Sequence, residues 1–446
     1  MLDKKTEETV LKIAYGVREY GGTAYFVGGF VRDRLMGADS TDVDIEVHGI
    51  KPEILEKILD SLGNRLEIGK SFGIYSLSGL NIDVAMPRIE TLTGIKHRDF
   101  KIDVAPFVGT KKAAVRRDFT VNSIMQDIIS GEIIDHFGGR EDLENKVLRH
   151  VNDNSFGEDP LRVLRGAQFA ARFDFDISLE TAEICRKIDL SNLSPERVFD
   201  ELKKALLKSE KPSVFFKQLL KMNQLSYWFR EIEQLIGIKQ HSRHHKEGDV
   251  WNHTMMVVDE AAKCRDSAEH PLYFMLSALV HDFGKIVSTK FVNGEYHAYS
   301  HETEGTELIE KFLRRITNET ALIKYCVNMA KLHMKPNVTV GDNSSVKATN
   351  KMFDSSKSPE DLILLALCDG RGKIPASADE NTERFLRERL DIYREYMSRP
   401  YVTGQDLINA GVMPGKDFSQ LLNYAHKLRL AGVSKENALK QVLAFK

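Results

Sequence analysis

Cysteines are scarce in this sequence, and those present are not spaced for metal binding. The four cysteines, Cys185, Cys264, Cys326 and Cys368, include no Cys-x-x-Cys pair. Zinc ribbons need such pairs, and disulfide frameworks need a denser set of cysteines. The distribution therefore argues against both classes of protein and fits a reducing cytoplasm.

Long hydrophobic runs are also missing. The longest apolar stretches are residues 276–280 and 362–368, whereas a membrane-spanning helix needs about 20 apolar residues. The N-terminal residues are charged and lack the apolar core of a secretion signal. We expect a cytoplasmic protein with no membrane partner.

An excess of charge of one sign is absent as well. Lys and Arg total 63 and Asp and Glu total 65, so the formal net charge is −2. A nucleic-acid partner would have to bind at local basic patches, because the surface as a whole is not basic. At 446 residues, the chain is long enough for two or three domains.

The secondary-structure pattern changes along the chain. Up to about residue 150, strand-like segments alternate with helical ones, and this alternation is typical of an α/β domain. Farther on, amphipathic helices dominate, with one β-hairpin predicted at an Asn293-Gly294 turn. The predicted strands are 24–27, 43–47, 82–86 and 133–135, and the predicted helices include 7–20, 52–62, 161–172, 179–188, 195–208 and 213–222. The predicted fold class is α+β, with an α/β head followed by an all-α body.

The most informative motif is Asp42-Val43-Asp44. Residues two apart on a strand point to the same face, so the two carboxylates would aim at one point. They repel each other unless a cation binds there, and Mg²⁺ is a hard ion that prefers oxygen ligands and also binds phosphates. The motif predicts phosphoryl or nucleotidyl transfer with two metal ions.

A glycine turn upstream supports this chemistry. Gly28 and Gly29 follow an apolar strand and precede a helix that carries Arg32. Backbone N–H groups at such a turn can bind a triphosphate, so Gly28, Gly29 and Arg32 are candidate nucleotide-binding residues, although glycine pairs usually form only ordinary turns. Asp83 is the candidate third carboxylate, carried to the same face by an adjacent antiparallel strand, where it would help deprotonate the attacking hydroxyl. The alternative is a strand-edge Asp that faces solvent.

The segment 115–123 has two arginines followed by polar residues at helical spacing. Arg116 and Arg117 can clamp a triphosphate, while Asp118 and Asn122 can meet ribose hydroxyls. A solvated basic face is the alternative.

A second basic segment, 156–165, begins a helix. We expect Asp159 to cap this helix, Pro160 to be its first residue, and Arg162 and Arg165 to share one face. An acid and an arginine held at a helix start can also read the Watson–Crick edge of a base.

The helical body carries a scattered set of histidines and acids. His281 and Asp282 follow an apolar helical run and would point into the core, where a charge is costly unless a metal satisfies it. With His253 and Asp369 from other helices, they make a site with four nitrogen and oxygen ligands. A single buried histidine is usually only hydrogen-bonded, so the ordered set carries the prediction.

The ordered motifs GGFVRD, DVD, DVAMPR, RRDFTVN, IDHFGGREDL and EDPLRVLR resemble the class II tRNA nucleotidyltransferases, which include CCA-adding enzymes and bacterial RNA adenylyltransferases. The resemblance covers about residues 20 to 210. It implies addition of C and A to the tRNA 3′ end from CTP and ATP, with Mg²⁺ as cofactor and no nucleic-acid template. The implied metal ligands are Asp42 and Asp44, the implied contacts to triphosphate and ribose are Arg116, Arg117, Asp118 and Asn122, and the implied base-selecting residues are Glu158, Asp159 and Arg162. Glu196 and Arg197 would be structural supports.

Two departures from the family pattern stand out. The third carboxylate of the family is more often Glu, where this chain has Asp83, and the segment Ile45-Glu-Val-His-Gly49 replaces a segment that is commonly rich in Ala and Thr. Residues 88–99, with Lys96, His97 and Arg98, occupy the place of the loop thought to govern the switch from C to A addition.

The histidine set resembles the HD-superfamily metal phosphohydrolases. His301 and His333 match the variant with six metal-binding residues, which implies room for two ions, and Lys285 would lie near the bound phosphate. The mixture of imidazole and carboxylate ligands suits Mn²⁺, Ni²⁺ or Fe²⁺ better than Mg²⁺.

We therefore expect four regions. They are a nucleotidyltransferase head at 1–150, a helical neck that binds RNA and nucleotide at 151–212, an HD phosphohydrolase body at 213–398 and a tRNA-facing helical segment at 399–446. The alternatives are an enzyme restricted to CC or A addition, an adenylyltransferase of other RNAs, a protein-modifying nucleotidyltransferase and a catalytically inactive RNA-binding scaffold.

Overall fold

The computed structural model describes residues 2–39, 42–63, 65–69, 74–92, 100–243 and 245–445. Lys96, His97 and Arg98, from the segment predicted to govern the switch from C to A addition, lie outside the described residues. The chain forms two compact units, the first comprising Met1–Arg197 with Val214–Gln224 and the second comprising Val198–Ser213 with Leu225–Lys446.

The strands lie mostly in the first unit. In chain order they are β1 Thr23–Val27, β2 Val43–His48, β3 Arg65–Gly69, β4 Ile74–Leu77, β5 Ile82–Ala85, β6 Arg88–Leu92, β7 Phe100–Val104, β8 Met125–Asp127, β9 Ile133–Ile134, β10 Val147–Leu148, β11 Asp176–Ile177, β12 Thr289–Val292 and β13 Glu295–Ala298.

The helices continue to the end of the chain. They are α1 Lys4–Glu19, α2 Gly29–Leu35, α3 Pro52–Leu62, α4 Thr110–Ala114, α5 Gly139–Glu144, α6 Asp153–Phe156, α7 Leu161–Phe173, α8 Leu179–Cys185, α9 Pro195–Lys208, α10 Ser213–Lys221, α11 Leu225–Glu233, α12 Val250–Cys264, α13 Pro271–Val280, α14 Lys285–Ser288, α15 His301–Glu304, α16 Thr306–Ile316, α17 Thr320–Leu332, α18 Met334–Gly341, α19 Val346–Ser355, α20 Pro359–Arg371, α21 Glu380–Ser398, α22 Gly404–Asn409, α23 Phe418–Leu430 and α24 Lys435–Ala444. The α+β fold class predicted from the sequence is confirmed.

A mixed sheet forms the framework of the first unit, with the strand order β3-β4-β5-β2-β1-β8-β9 among the described residues. The strand β1 pairs antiparallel with both β2 and β8. The strand β2 pairs with β5 in parallel, and Asp44 is the register partner of Asp83. The prediction that Asp83 lies on an antiparallel neighbour of β2 is therefore wrong. The strands β3 and β4 lie between β2 and β5 in the chain, and β5 pairs antiparallel with β4, so that it runs in the same direction as β2.

The core of the first unit lies between this sheet and helices α1 and α3. Val43, Ile45 and Val47 alternate along β2 and are buried against apolar residues of both helices. Each buried Val or Ile contributes on the order of 1.5–3 kcal/mol. The same alternation turns Asp44 and Glu46 to the opposite face of the sheet, away from the helices.

Among the residues that the structure describes, the β12–β13 hairpin supplies the only strands of the otherwise helical second unit. Asn293 and Gly294 at its tip have φ of 52° and 85°, as a two-residue type I′ turn requires. The hairpin predicted from the Asn-Gly pair is confirmed. In the described part of the chain, no helix is both long and apolar enough to cross a membrane.

Candidate functional site

Three carboxylates meet beside the centre of the sheet in the first unit. Asp44 and Asp83 occupy neighbouring strands at paired positions, and register partners on adjacent strands point to the same face. Asp42 lies immediately before β2, which begins at Val43. The sequence prediction of a close acidic pair agrees with this geometry, although only Asp44 lies within the strand.

The electrostatics of this group favour a bound cation. Burial raises the pKa of Asp44, and the negative charges of Asp83 and Asp42 raise it further against the opposing effect of Arg117. A carboxylate that is disfavoured by burial and by like charges is stabilised by a hard cation. The set of oxygen donors therefore fits Mg²⁺.

Gly28 brings the turn close to these carboxylates. Its φ is +67°, and a Cβ at this position would lie 3.0 Å from Arg117 Nη1 and 3.4 Å from Asp44 Oδ2. A side chain would therefore be strained and would crowd both charged groups. The glycine keeps open the space between the arginine and the acid.

Arg116 and Arg117 line a cavity of about 250 Å³ together with Glu46. Arg117 Nη2 lies 3.2 Å from Glu46 Oε2, and Arg116 Nη1 donates to the Arg88 carbonyl at 2.6 Å. The cavity, lined by both arginines, can accept an anionic group.

Glu46 was not predicted from the sequence as a functional residue. Its other oxygen lies 2.8 Å from His48 Nε2. Although burial opposes the change, His48 and Arg117 hold the pKa of Glu46 below its usual value. The alternation of Asp44, Glu46 and His48 on one strand face was the available signal, and it falls in the segment that departs from the family pattern.

A buried polar network surrounds Asp118. Arg165 Nε donates to Asp118 Oδ2 at 2.8 Å, Asn122 Nδ2 donates to Asp118 Oδ1 at 3.0 Å, and Arg32 Nη1 donates to Asn122 Oδ1 at 2.6 Å. Burial would raise the pKa of Asp118, but Arg165 and Asn122 hold it below its usual value. The network connects α2 with α7.

Arg32 is more deeply enclosed than the sequence suggested. Its side chain is only 4% exposed, and its guanidinium lies 4.4 Å from the ring centroid of Phe173. Asp33 accepts hydrogen bonds from its Nε and Nη2. The structure therefore gives Arg32 a packing role beside Asn122.

The segment that the sequence predicts to select the base is anchored to its surroundings. Arg162 donates to the backbone carbonyls of Ser155 and Arg116 at 2.8 and 2.7 Å. Asp159 Oδ1 accepts from the Leu161 N–H at 3.1 Å. However, α7 begins at Leu161 and its N-cap residue is Pro160, so the predicted cap at Asp159 and the predicted first residue at Pro160 each lie one position too early.

Arg197 and Glu158 also have defined places. Arg197 Nη2 donates to both oxygens of Asp159 at 3.0 and 2.8 Å, which agrees with a supporting role for Arg197. Glu158 is exposed.

The histidines and acids of the second unit converge although they are far apart in sequence. His281 and Asp282 directly follow the end of α13, His333 follows α17, and Asp369 lies in α20. Pairs of their polar atoms lie 3.1 Å apart for His253 Nε2 and Asp369 Oδ1, 3.4 Å for His281 Nε2 and His253 Nε2, 3.3 Å for His301 Nε2 and Asp282 Oδ1, and 3.4 Å for His301 Nε2 and His333 Nε2. Ligand atoms at 2.0–2.2 Å from one ion lie roughly 3–3.5 Å apart.

Backbone carbonyls orient all four imidazole rings. The distances from Nδ1 to the carbonyl oxygen are 3.1 Å for His253 and Gly372, 2.8 Å for His281 and Ala278, 2.9 Å for His301 and Ala298, and 2.6 Å for His333 and Ala330. A carbonyl only accepts, so Nδ1 donates and Nε2 keeps its lone pair toward the centre.

Asp282 lies at the middle of this cluster. Both of its oxygens are buried without a donor of good hydrogen-bonding geometry, although Lys285 Nζ lies 2.7 Å away. Burial would raise the pKa of Asp282, but Lys285 and His281 hold it well below its usual value. An ionised, buried carboxylate surrounded by Nε2 atoms fits a divalent transition metal.

Two further residues of this site were missed from the sequence. Lys373 Nζ lies 2.9 Å from Asp369 Oδ2, one helical turn farther along the chain, and that spacing was a usable signal. The side chain of Glu247 is buried, and it lies 3.4 Å from His253 Nδ1 and 2.7 Å from His245 Nδ1.

Two known family models match parts of this chain. Residues 24–149 match the family model "Poly A polymerase head domain", and residues 174–236 match "Probable RNA and SrmB- binding site of polymerase A". The first unit thus carries a nucleotidyltransferase head.

Relatives extend the match over most of the chain. The multifunctional CCA protein of Actinobacillus pleuropneumoniae serotype 5b is 32% identical over 362 residues, which cover 78% of this chain and 85% of that protein. The chain belongs to the family of CCA-adding tRNA nucleotidyltransferases.

Solved structures share the fold at lower identity. The Thermotoga maritima CCA-adding enzyme complexed with tRNA has a TM-score of 0.64 and 21% identity, covering 98% of this chain and 94% of that one. The Bacillus stearothermophilus CCA-adding enzyme in complex with CTP has a TM-score of 0.68 and 20% identity, covering 99% and 98%.

Proposed function

We propose that this protein adds C and A to the 3′ end of tRNA, using CTP and ATP and no nucleic-acid template. The observation that carries the proposal is the meeting of Asp42, Asp44 and Asp83 opposite Arg117, in a chain of this family. The similar structures that contain tRNA and CTP support these substrates.

Asp42 and Asp44 would hold two Mg²⁺ ions, which would supply charge stabilisation to the reacting phosphate. Asp83 is exposed beside them and would receive the proton of the attacking 3′-hydroxyl. The three carboxylates thereby divide into metal ligands and a proton acceptor.

The triphosphate of the incoming nucleotide would bind at the glycine turn and the two arginines. Gly28 and Gly29 would offer backbone N–H groups to the triphosphate, and Arg116 and Arg117 would neutralise its charge. This assignment rests on the cavity that Arg116 and Arg117 both line, and on the short distance from a Cβ placed at Gly28 to Arg117 Nη1.

Ribose and base would lie toward α7. Asp118 and Asn122 would meet the ribose, with Arg32 and Arg165 holding these two side chains in place through the buried network. The base-selecting residues would be Glu158, Asp159 and Arg162. They would read the base edge through hydrogen bonds.

The test uses tRNA transcripts that end before, within and after the CCA terminus. Each transcript is incubated with CTP, with ATP and with both, and the products are resolved at single-nucleotide length. Addition of C, C and A in order supports the proposal. Addition of only CC or only A, or equal use of unrelated RNAs, supports the corresponding narrower alternative.

We also propose that the second unit is an HD-type phosphohydrolase. The observation that favours it is the convergence of four Nε2 atoms on two buried carboxylates. The ligands would be His253, His281, Asp282, His301, His333 and Asp369, with room for two ions of Mn²⁺, Ni²⁺ or Fe²⁺. A bound transition metal would supply Lewis-acid activation of water and of the phosphoester.

Lys285 would bind the phosphate of the substrate. The proposed class of substrate is RNA with a 2′,3′-cyclic or terminal phosphate, because clearing a blocked 3′ end would allow nucleotide addition. Hydrolysis of a cyclic phosphate breaks one phosphorus–oxygen bond and forms another to the water oxygen. The freed ribose oxygen takes up the proton.

The double variant His281→Ala, Asp282→Ala tests this second function. It should lose bound metal, measured by elemental analysis, and phosphoester hydrolysis, while nucleotide addition continues at the wild-type rate. If the wild type binds no transition metal and hydrolyses none of these esters with any of the three ions, the hydrolase proposal is wrong.

A further inference from the structure

Tyr296 of the β12–β13 hairpin borders the cavity at the histidine cluster. Cross-strand partners point to one face, and Phe291 pairs with Tyr296 while Thr289 pairs with Ala298. Three of these four residues, Thr289, Tyr296 and Ala298, border the cavity above the cluster. Phe291 extends the same face outward, and its ring centroid lies 4.9 Å from that of Tyr296.

Both rings are accessible. Phe291 is 63% exposed and Tyr296 is 37% exposed. The two adjoining exposed rings, one of which borders a polar cavity, offer an apolar surface that a ligand can cover favourably. Their exposure points to a ligand with a flat, apolar face.

The hairpin is held in a fixed position. Glu295 Oε1 accepts a hydrogen bond from Ser242 Oγ at 3.0 Å, and the ring of His297 lies 5.6 Å from that of His241. These contacts fall on the segment that also borders the cavity. The aromatic face therefore keeps its place relative to the candidate metal ligands.

The cavity suits a phosphate and not a whole nucleoside. Its volume is about 170 Å³, below the roughly 300–1,000 Å³ of pockets that enclose complete small ligands. Lys239, Lys285 and Lys373 line it together with the carboxylates of Asp282 and Asp369. With a divalent ion bound, the cavity would be cationic and would attract an anion.

We propose that Phe291 and Tyr296 form a stacking surface for the base of a nucleotide whose phosphate enters this cavity. The proposal rests on the hydrolase function proposed above and narrows its substrate to phosphoesters that carry a nucleobase, such as an RNA 3′ end. Stacking on aromatic rings accepts any base, so the surface would select nucleotides without reading sequence.

The test uses the full-length protein loaded with Mn²⁺ and a short RNA that ends in a 2′,3′-cyclic phosphate. A second RNA is identical but lacks the base of its last residue. The variants are Phe291→Ala and Phe291→Ala with Tyr296→Ala. The control is Val292→Ala, a 37% exposed residue on the opposite face of the same strand.

Stacking of one base contributes about 1–3 kcal/mol, so the double variant should raise KM roughly 5- to 150-fold for the intact RNA. The KM for the abasic RNA should be high already and unchanged by the substitutions. Val292→Ala should behave as wild type, and Phe291→Trp should restore a low KM.

A second measurement does not depend on hydrolysis. A 2-aminopurine at the cyclic-phosphate end should lose fluorescence on binding, through stacking, and the double variant should bind with less quenching than Val292→Ala. Equal KM values for intact and abasic RNA, or equal quenching by these two proteins, would overturn the stacking surface while leaving the hydrolase intact. If the wild type hydrolyses neither RNA, the hydrolase proposal is wrong. The fluorescence measurement alone then tests whether Phe291 and Tyr296 form a stacking surface.

Discussion

Asp44 and Asp83 are register partners on two parallel strands, with Asp42 beside them. Burial and the two neighbouring negative charges raise the pKa of Asp44. The site therefore holds its acids in an arrangement that is unfavourable without a cation. Loss of one of these acids should affect chemistry and stability in opposite directions.

Asp44→Asn should abolish nucleotide addition without destabilising the protein. Loss of a metal ligand should raise the barrier by about 4 kcal/mol or more, whereas removing one repelled charge should keep or raise the melting temperature measured without Mg²⁺. Asp42→Ala should lose activity likewise. Single-turnover incorporation and thermal unfolding measure the two effects.

The matched control is Glu53→Gln, an exposed acid of the same unit, which should leave nucleotide addition unchanged. Near-normal incorporation by Asp44→Asn would contradict its assignment as a metal ligand.

Arg162→Ala should damage nucleotide choice more than nucleotide affinity. A side chain that reads a base edge contributes on the order of 1–3 kcal/mol of discrimination. Arg117→Ala should instead weaken CTP and ATP alike, because it lies beside the cavity assigned to the triphosphate. Steady-state kcat/KM for each nucleotide on matched tRNA transcripts distinguishes the two effects.

Arg162 also donates to two backbone carbonyls, so the preference must be separated from stability. An unchanged CTP/ATP preference in a variant with a normal melting temperature would refute its role in base selection.

Asp118→Asn should destabilise the protein in a pH-dependent manner. Its carboxylate is buried and accepts from Arg165 and Asn122, and hydrogen bonds of this charged kind contribute about 1.5–3 kcal/mol. Because the folded pKa is lowered, the stabilisation is fully present above the unfolded value of about 3.9 and is lost as pH falls through the folded pKa.

The measurement is the difference in unfolding free energy between Asp118→Asn and wild type. It should be constant between about pH 5 and 8 and shrink below about pH 4. A difference that grows on acidification would have the wrong sign for a carboxylate with a lowered pKa.

Gly284→Ala should disturb the histidine cluster. A Cβ at Gly284 would lie 1.8 Å from the His301 carbonyl oxygen, so the backbone that begins α15 must move, and His301 with it. We expect at least a tenfold weaker retention of metal, followed by elemental analysis after dialysis, because the ligand geometry is lost.

Gly341→Ala is the matched control, since its Cβ would meet no atom within 4 Å. It should retain metal as the wild type does. Equal retention by Gly284→Ala would show that His301 is not needed for binding.

Local patterns in the sequence were sufficient for much of the fold. The apolar alternation of Val43, Ile45 and Val47 determined which face of β2 is buried, and Asn293-Gly294 determined the hairpin, because both depend on neighbours in the chain. The ordered motifs also identified the family. By contrast, β3 and β4 were missed, and with them the parallel direction of β5, because strand order depends on residues distant in sequence.

Donor chemistry belongs to the residue type, so the sequence alone indicated which residues could hold metals and phosphates. Which of these residues meet depends on tertiary packing. It placed Asp83 beside Asp44, gave Arg32 a buried place against Phe173, and brought the Sγ atoms of Cys264 and Cys368 to 3.6 Å although 104 positions separate them in the chain. These contacts depend on how helices and strands pack, and packing is decided by burial over the whole core and not by local spacing.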